Sequence, residues 1–146
     1  MFTHGVKMFN NTFSDNWGDA AYGLLLKEIS GSYINGNMFE QNTIGIYMEG
    51  VSRTQVIKNV FSGNGFAIKI QASCMDVTLN FNNFFGNTFD IGTNGSLVLN
   101  SFNYNYWDHY EGYDIDHDKI GDLPYRPISM YSMIIEINHP TMVLFR

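Results

Sequence analysis

Charge is scarce in this sequence of 146 residues. Only 15% of the residues are charged, and 14 acidic residues against 8 basic ones leave a formal net charge of −6. Nucleic acids and anionic membrane surfaces both attract basic faces, so this balance argues against either as a partner. The composition fits a solvated acidic surface or a site for a cation.

Cysteine and long apolar runs are scarce as well. The single cysteine, Cys74, excludes a disulfide bond within the chain. We interpret it as a small buried apolar side chain, with pairing to another chain or metal ligation as the alternative. No run of about 20 apolar residues exists, so the sequence predicts no membrane-spanning helix. The first residues lack the basic start and apolar run of a secretory signal peptide.

Asparagine, in contrast, is abundant and periodic. There are 17 asparagines, and all but Asn138 lie at or before Asn105. The motif N-x-F-x-x-N recurs at nearly constant intervals, and a last copy has tryptophan in the aromatic position. The motif copies begin at Asn11, Asn37, Asn59, Asn82 and Asn105, and an apolar residue stands three positions before each: Met8, Ile34, Val56, Leu79 and Phe102. The first interval is the longest, and an inserted loop at residues 17–20 explains its extra length.

The repeat indicates a β-solenoid in which each copy forms one coil. A period of about 23 residues is short for a helical hairpin repeat, and the segments between the asparagines alternate with period two. Leucine-rich repeats have a similar length, but their L-x-x-L-x-L-x-x-N pattern is absent. We therefore predict an all-β, right-handed parallel β-helix of four to five coils over residues 1–105.

In such a solenoid, equivalent residues of successive coils lie directly above one another. The aromatic position predicts one internal stack: Phe13, Phe39, Phe61, Phe84 and Trp107. The second asparagine of each motif predicts an internal ladder of side-chain amides: Asn16, Asn42, Asn64 and Asn87. We expect these four asparagines to adopt the left-handed backbone conformation at a sharp corner.

The segment YDIDHDKIGDLPYRP, residues 113–127, differs from the repeats. Asp114, Asp116 and Asp118 match the first, third and fifth positions of a calcium loop, but Lys119 and Tyr125 stand where an EF-hand needs glycine and glutamate. A shorter calcium loop completed by Asp122 is one interpretation. The alternative is a capping turn in which the carboxylates accept hydrogen bonds from backbone amides.

On either interpretation, residues 106–127 form an end cap. The open end of a β-helix exposes apolar side chains and unpaired strand edges, which must be covered. We expect four aromatic side chains to lie across the last coil: Trp107, Tyr110, Tyr113 and Tyr125. Residues 128–146 then form a short helical or extended tail, in which Ser129 could cap a helix that Pro140 ends.

The repeat columns resemble those of pectin-lyase-like parallel β-helices, and the tail is more specific. N-Y-W at residues 105–107, G-Y-D-I-D at 112–116 and I-G-D-L-P-Y-R-P at 120–127 resemble the end of the β-helix in NosD-type proteins. That resemblance implies a periplasmic subunit that works with an ABC transporter permease in assembling the copper centre of nitrous oxide reductase. The chain begins inside a repeat, so we interpret it as the C-terminal part of a longer protein or as a truncated relative.

The resemblance makes copper a second candidate metal. Cu(I) prefers thioether, thiolate and imidazole ligands. No closely spaced group of such residues forms a strong motif. The two weak ones lie in the tail, where Met130 and Met133 form one pair and His139 and Met142 form the other. Methionine is otherwise more typical of a core than of a metal site.

A carbohydrate-binding or polysaccharide-active β-helix is the alternative function. Such enzymes place paired carboxylates on an exposed sheet, whereas Glu28, Glu49, Lys69 and Asp90 are scattered in the predicted register. We therefore predict a non-enzymatic scaffold. The first coil carries no cap in this sequence, which also predicts end-to-end self-association through its strand edges.

Overall fold

The computed structural model describes residues 3–95, 101–123, 125 and 127, and it confirms the parallel β-helix. The described residues contain no helix. The tail residues 128–146 lie outside this description. The fifteen strands are β1 (Thr3–His4), β2 (Lys7–Phe9), β3 (Thr12–Ser14), β4 (Tyr22–Lys27), β5 (Ile29–Ser30), β6 (Tyr33–Asn35), β7 (Met38–Glu40), β8 (Ile44–Glu49), β9 (Ser52–Ile57), β10 (Val60–Ser62), β11 (Phe66–Ile70), β12 (Met75–Asn80), β13 (Asn83–Phe85), β14 (Phe89–Thr93) and β15 (Tyr106–Trp107).

Three parallel sheets form the walls of the solenoid. The first has the order β1-β5-β9-β6-β2, with β12 paired to β9; the second has the order β15-β13-β10-β7-β3; the third has the order β14-β11-β8-β4. Each of four coils contributes strands to every sheet, and β15 begins a fifth coil. Among the described residues, no helix is long and apolar enough to cross a membrane.

The aromatic position forms a continuous stack inside the second sheet. The register pairs Phe13 with Phe39, Phe39 with Phe61, Phe61 with Phe84, and Phe84 with Trp107. Successive ring centroids lie 4.9, 5.0, 5.0 and 4.2 Å apart, and successive ring planes differ by only 5 to 11°. The rings repeat at the spacing of the coils. Each central ring is covered on both faces, and Phe39, Phe61 and Phe84 are completely buried.

The second asparagines form a ladder along one corner. The Oδ1 atom of Asn64 accepts hydrogen bonds from both the backbone amide and the side-chain amide of Asn42, each at 3.0 Å. The Nδ2 atom of Asn64 donates to the carbonyl of Phe39 at 2.9 Å. The same pattern links Asn16 to Asn42 and Asn64 to Asn87. Each amide therefore satisfies backbone groups of the preceding coil as well as its neighbour.

A second ladder, which the sequence analysis did not identify, follows the first asparagines of the motif. Its members are Asn11, Asn37, Asn59, Asn82 and Asn105, joined by the same paired bonds. From Asn37 onward, each Nδ2 atom also donates a hydrogen bond to a backbone carbonyl of the preceding coil. The acceptor is the apolar residue three positions before the first asparagine of that coil; Asn59, for example, donates to Ile34 at 3.0 Å. The regular spacing of these first asparagines in the sequence could have predicted this second ladder.

The backbone at these corners corrects one expectation. The left-handed residue is the one that precedes each ladder asparagine, and the asparagine itself keeps negative φ. Asp15 and Gln41 have φ of 60° and 54°, and Gly63 and Gly86 have φ of 64° and 59°. The preceding residue turns the chain, and the asparagine side chain then points inward to bond the next coil.

A column of small residues faces the aromatic stack from the third sheet. Its members are Gly23, Gly45 and Ala67 in the first three coils. A Cβ atom added to Gly45 would lie 2.5 Å from the carbonyl oxygen of Ala67 and 3.3 Å from the Phe61 ring. The close approach of the next coil therefore leaves no room for a side chain at Gly23 or Gly45. In the fourth coil, the same position is Asp90.

The remaining interior is mostly apolar, with Ser32, Thr54 and Thr93 as further buried polar residues. Cys74 is 5% exposed, and burial raises the pKa of its thiol, which keeps it protonated and inert. Met48 is fully buried in the same core. Both residues therefore act as packing side chains and are not accessible metal ligands.

In the segment predicted to be the end cap, one ring contacts the end of the stack and a second ring contacts the first. The Tyr125 ring lies 5.2 Å from Trp107, and Tyr110 meets Tyr125 edge-on at 5.9 Å. The expectation for Tyr113 was wrong, because its side chain is 75% exposed. Tyr113 instead offers its backbone carbonyl to the Asp122 amide, which holds the loop closed at 3.1 Å.

Candidate metal centre at the end of the solenoid

Asp90 occupies an interior position that no other coil fills with a polar side chain. It lies on β14 and is 3% exposed. Its counterparts in the preceding coils are small because the next coil would clash with anything larger. Among the described residues the third sheet ends at β14, so the carboxylate extends into the space that a further strand of this sheet would occupy. The cap residues close over it from that side.

Asp90 also terminates the asparagine ladder. The fifth motif copy has Tyr110 where another ladder asparagine would stand, so the Asn87 amide has no amide neighbour above it. The Nδ2 atom of Asn87 lies 3.5 Å from Asp90 Oδ1 and 3.1 Å from the Phe61 carbonyl. The carboxylate thus supplies an acceptor where the next asparagine would have provided one.

Three cap side chains converge on Asp90. The Tyr125 hydroxyl donates to Asp90 Oδ2 at 3.2 Å. The Nδ1 atom of His109 lies 3.5 Å from Asp90 Oδ2 and 3.5 Å from Asp108 Oδ1. The other oxygen of Asp108 accepts a hydrogen bond from the Gly86 amide, which anchors that side chain to the fourth coil. The cap is therefore attached to the solenoid through this cluster.

The cluster changes the acidity of two members. Burial raises the pKa of Asp90, and the neighbouring His109 and the hydrogen bonds from Tyr125, His109 and Asn87 only partly offset that effect. Burial, followed by the Asp90 charge and its hydrogen bond, raises the pKa of Tyr125 to about 12. The phenol consequently stays protonated and donates to the carboxylate at every pH near neutral.

Asp90, Asp108 and His109 form a set of ligands that can hold a metal ion. One ligand atom from each lies within 4.8 Å of the others. Two carboxylates and an imidazole suit Cu(II) or Zn(II), whereas Cu(I) prefers sulfur, which this trio does not contain. The Asp90 side chain is 1% exposed, but that of His109 is 51% exposed. An ion held here would therefore keep open positions toward solvent.

The aspartate segment forms a second acidic group. One oxygen from each of Asp114, Asp116 and Asp122 lies within 4.8 Å of the others, which is compatible with a calcium ion. The same carboxylates also accept backbone hydrogen bonds, including those from Lys119 to Asp114 at 2.9 Å and from Ile115 to Asp122 at 2.5 Å. The segment thus forms the capping turn, and the same turn places the carboxylates of Asp114, Asp116 and Asp122 next to one another.

Asp118 stands apart from this acidic group. It is exposed, and its carboxylate accepts a hydrogen bond from the Ile120 amide at 2.8 Å. Its own amide donates to Asp114 and Asp116 at 3.1 and 3.2 Å. Its role in the structure is to turn the loop. The copper candidates Met130, Met133, His139 and Met142 lie outside the described residues.

Sequence reasoning missed the trio, although one signal for it exists. Asp90 was treated as one of several scattered charges. In the aligned repeats, however, it replaces Gly23, Gly45 and Ala67, and a carboxylate in a column of small interior residues indicates a special environment. His109 stands at the motif position of Gly86 in the coil below, so the repeat places it near the end of β13, but Asp90 was not aligned with its column of small residues.

The raised pKa of Asp90 predicts a pH-dependent stability difference. A carboxyl group with a raised pKa in the fold contributes stability that is complete below its unfolded pKa of 3.8 and is lost as pH rises through the folded pKa. Asp90→Asn keeps a neutral side chain at every pH. In metal-free protein, the wild type should therefore lose stability relative to Asp90→Asn as the pH rises from acid through the raised pKa of Asp90, measured by urea unfolding. Parallel curves for the two proteins would contradict this environment for Asp90.

The comparisons with known proteins give one family. A family model described as "Periplasmic copper-binding protein (NosD)" matches residues 1–115, which include all four coils, β15 and the Asp90–Asp108–His109 trio. No curated protein matches the chain significantly.

Proposed function

This chain belongs to the NosD family, and from that premise we propose that it is a non-enzymatic periplasmic scaffold that holds copper at the capped end of its β-helix. The observation that carries the proposal is the Asp90–Asp108–His109 trio, which offers a metal-binding set within the matched residues. The donors favour the cupric ion. Copper is here the cargo of the protein.

The surroundings of the trio fit temporary holding of an ion. Asp90 is fixed in the interior by the end of the ladder and by Tyr125. Asp108 and His109 belong to the turn after β15, and the His109 side chain is half exposed. One rigid ligand and two ligands near the surface allow an ion to exchange with a partner without unfolding the solenoid. Imidazole must be unprotonated to bind, so affinity should fall at acid pH.

We further propose the partners that the family resemblance implies. These are an ABC transporter permease and nitrous oxide reductase, with the scaffold supporting assembly of the copper centre of the enzyme. Rigidity supports this role, because stacked coils with two asparagine ladders give a stiff rod that can present one end to a partner. Self-association through the first coil stays a prediction.

Metal titration of single variants tests the proposal. The metal-free protein should bind one Cu²⁺, and His109→Ala should weaken that affinity by at least about tenfold, because one of three ligands is lost. His117→Ala is the matched control, since His117 is exposed and lies outside the trio.

Calcium, titrated separately, should raise the melting temperature of the wild type. Asp116→Asn should abolish that rise and leave Cu²⁺ binding intact.

The predictions for copper binding and for calcium binding can be contradicted independently of each other. Unchanged Cu²⁺ affinity in His109→Ala would show that the trio is not the copper site, and a protein that binds no copper would contradict the proposed function. Absence of a calcium effect would leave the aspartates as turn caps. A parallel titration with Cu⁺ under reducing conditions tests the tail, where loss of binding in Met130→Ala or His139→Ala would assign copper to those side chains.

A further inference from the structure

The columns of aromatic residues end at the last coil with a ring face turned outward along the axis. Tyr104 stacks on Phe81 with centroids 5.2 Å apart and planes 8° from parallel. Since Phe81 covers one face of Tyr104, the other face points past the end of the solenoid. Tyr104 is 63% exposed. Trp107 ends the central stack in the same way, but Tyr125 covers its outer face.

A cleft of about 960 Å³ lies between this end of the solenoid and the cap loop. Tyr104, Tyr106 and Trp107 line one side, and residues of the cap loop line the other. Tyr106 packs on Phe85 at 5.1 Å and is 53% exposed, so two adjacent tyrosines present accessible rings to the same space. Aromatic walls with a few polar groups are typical of small-ligand sites.

The polar groups of the cleft restrict the ligand. Asn83 and Lys119, which carry hydrogen-bond donors, line it, and so do Asp108 and Asp114, whose carboxylates also accept backbone hydrogen bonds. Donors and acceptors around a flat aromatic surface suit a ligand that has hydroxyl groups on its edge and an apolar face. The two carboxylates against one ammonium group repel anionic ligands, such as polyuronates or nucleotides.

We infer that this cleft binds a neutral saccharide, with one pyranose ring stacked on Tyr104 and a second contact at Tyr106. The weakly positive C–H groups of a pyranose face are attracted to the negative face of an aromatic ring. The sugar hydroxyls then bond Asn83, Lys119 and the carboxylates. The stacking contacts, Tyr104 and Tyr106, lie outside the Asp90–Asp108–His109 trio, so the inference does not depend on copper binding, although Asp108 borders both sites.

Titration with cellotetraose, a neutral oligosaccharide, tests the inference in the full chain. Trp107 lines the cleft and reports binding by its fluorescence, and Trp17→Phe removes the other tryptophan. Tyr104→Ala should weaken binding by about five- to tenfold, whereas Tyr104→Phe should bind within about twofold of the parent because the ring remains. Phe9→Ala is the matched control, since Phe9 is an exposed aromatic residue of the first coil.

Each outcome decides the matter. Binding that is lost in Tyr104→Ala and kept in Phe9→Ala supports the site, and weaker binding of tetragalacturonate supports the electrostatic argument. Absence of cellotetraose binding, or equal affinity of Tyr104→Ala and its parent, would overturn the inference. Preference for tetragalacturonate would equally overturn the neutral ligand class. A copper titration of the same samples shows separately whether the metal site is intact.

Discussion

Phe61→Ala is expected to destabilise the protein by about 3–5 kcal/mol. Phe61 is fully buried, and its ring is stacked between Phe39 and Phe84 at 5.0 Å on each side. The coils above and below are held by two asparagine ladders, so they cannot collapse into the space that the ring leaves. The loss therefore includes both the transfer of the ring and a persistent cavity. Equilibrium urea unfolding followed by circular dichroism measures it.

Two further variants show whether the effect comes from the stack. Phe85→Ala removes a ring of the same sheet from its outward face, where the side chain is 39% exposed, and it should change the unfolding free energy by less than about 1 kcal/mol. Phe13→Ala, at the half-buried end of the stack, should lie between the two. Equal losses for Phe61 and Phe85 would mean that the register of the second sheet is wrong.

Asn64→Ala should destabilise the protein by about 2–4 kcal/mol, because several buried groups lose their partners at about 1–3 kcal/mol each. The Oδ1 atom of Asn64 serves two donors of Asn42, and its Nδ2 atom serves the Phe39 carbonyl and Asn87. Water cannot replace these bonds, since Asn64 is 1% exposed. Thermal and urea unfolding of the variant give the loss directly.

An exposed asparagine provides the control for this variant. Asn83 lies on the outward side of the second sheet, so Asn83→Ala should leave the unfolding free energy within about 0.5 kcal/mol of the wild type. Asn64→Asp has almost the same shape as asparagine but loses the donor and adds a buried charge. It should be at least as destabilising as Asn64→Ala at neutral pH. If Asn64→Ala and Asn64→Asp both melted with the wild type, the ladder would contribute no stability.

Much of the fold could be predicted because its interactions are repeated. A column of Phe13, Phe39, Phe61 and Phe84 at nearly regular spacing permits only a small number of parallel registers. The structure has the register that aligns these rings. The prediction failed at positions where one coil departs from the pattern. Tyr113 was counted as a covering aromatic side chain, but it follows no repeat and points into solvent.

The candidate metal site depended on the cap, which explains why sequence reasoning did not assemble it. Asp114, Asp116 and Asp122 are close in the sequence, so their proximity was predictable from spacing alone. Asp90 and His109 are separated by the end of the fourth coil and the entry to the fifth. The repeat places His109 one coil beyond Gly86, but the contact was missed because Asp90 was not recognised as a carboxylate in the column of Gly23, Gly45 and Ala67.

The sequence by itself determined the solenoid, its coil length, its aromatic stack and one of its asparagine ladders. The physical reason is that stacked coils place equivalent environments one repeat apart. Equivalent buried positions therefore carry the same residue type in successive repeats. Only the tertiary structure decided what happens where the repetition stops. There, an aspartate enters the column of small residues, the cap residues close over it, and two tyrosine rings are left uncovered. These features occur once in the chain, so they depend on contacts that no second copy reveals.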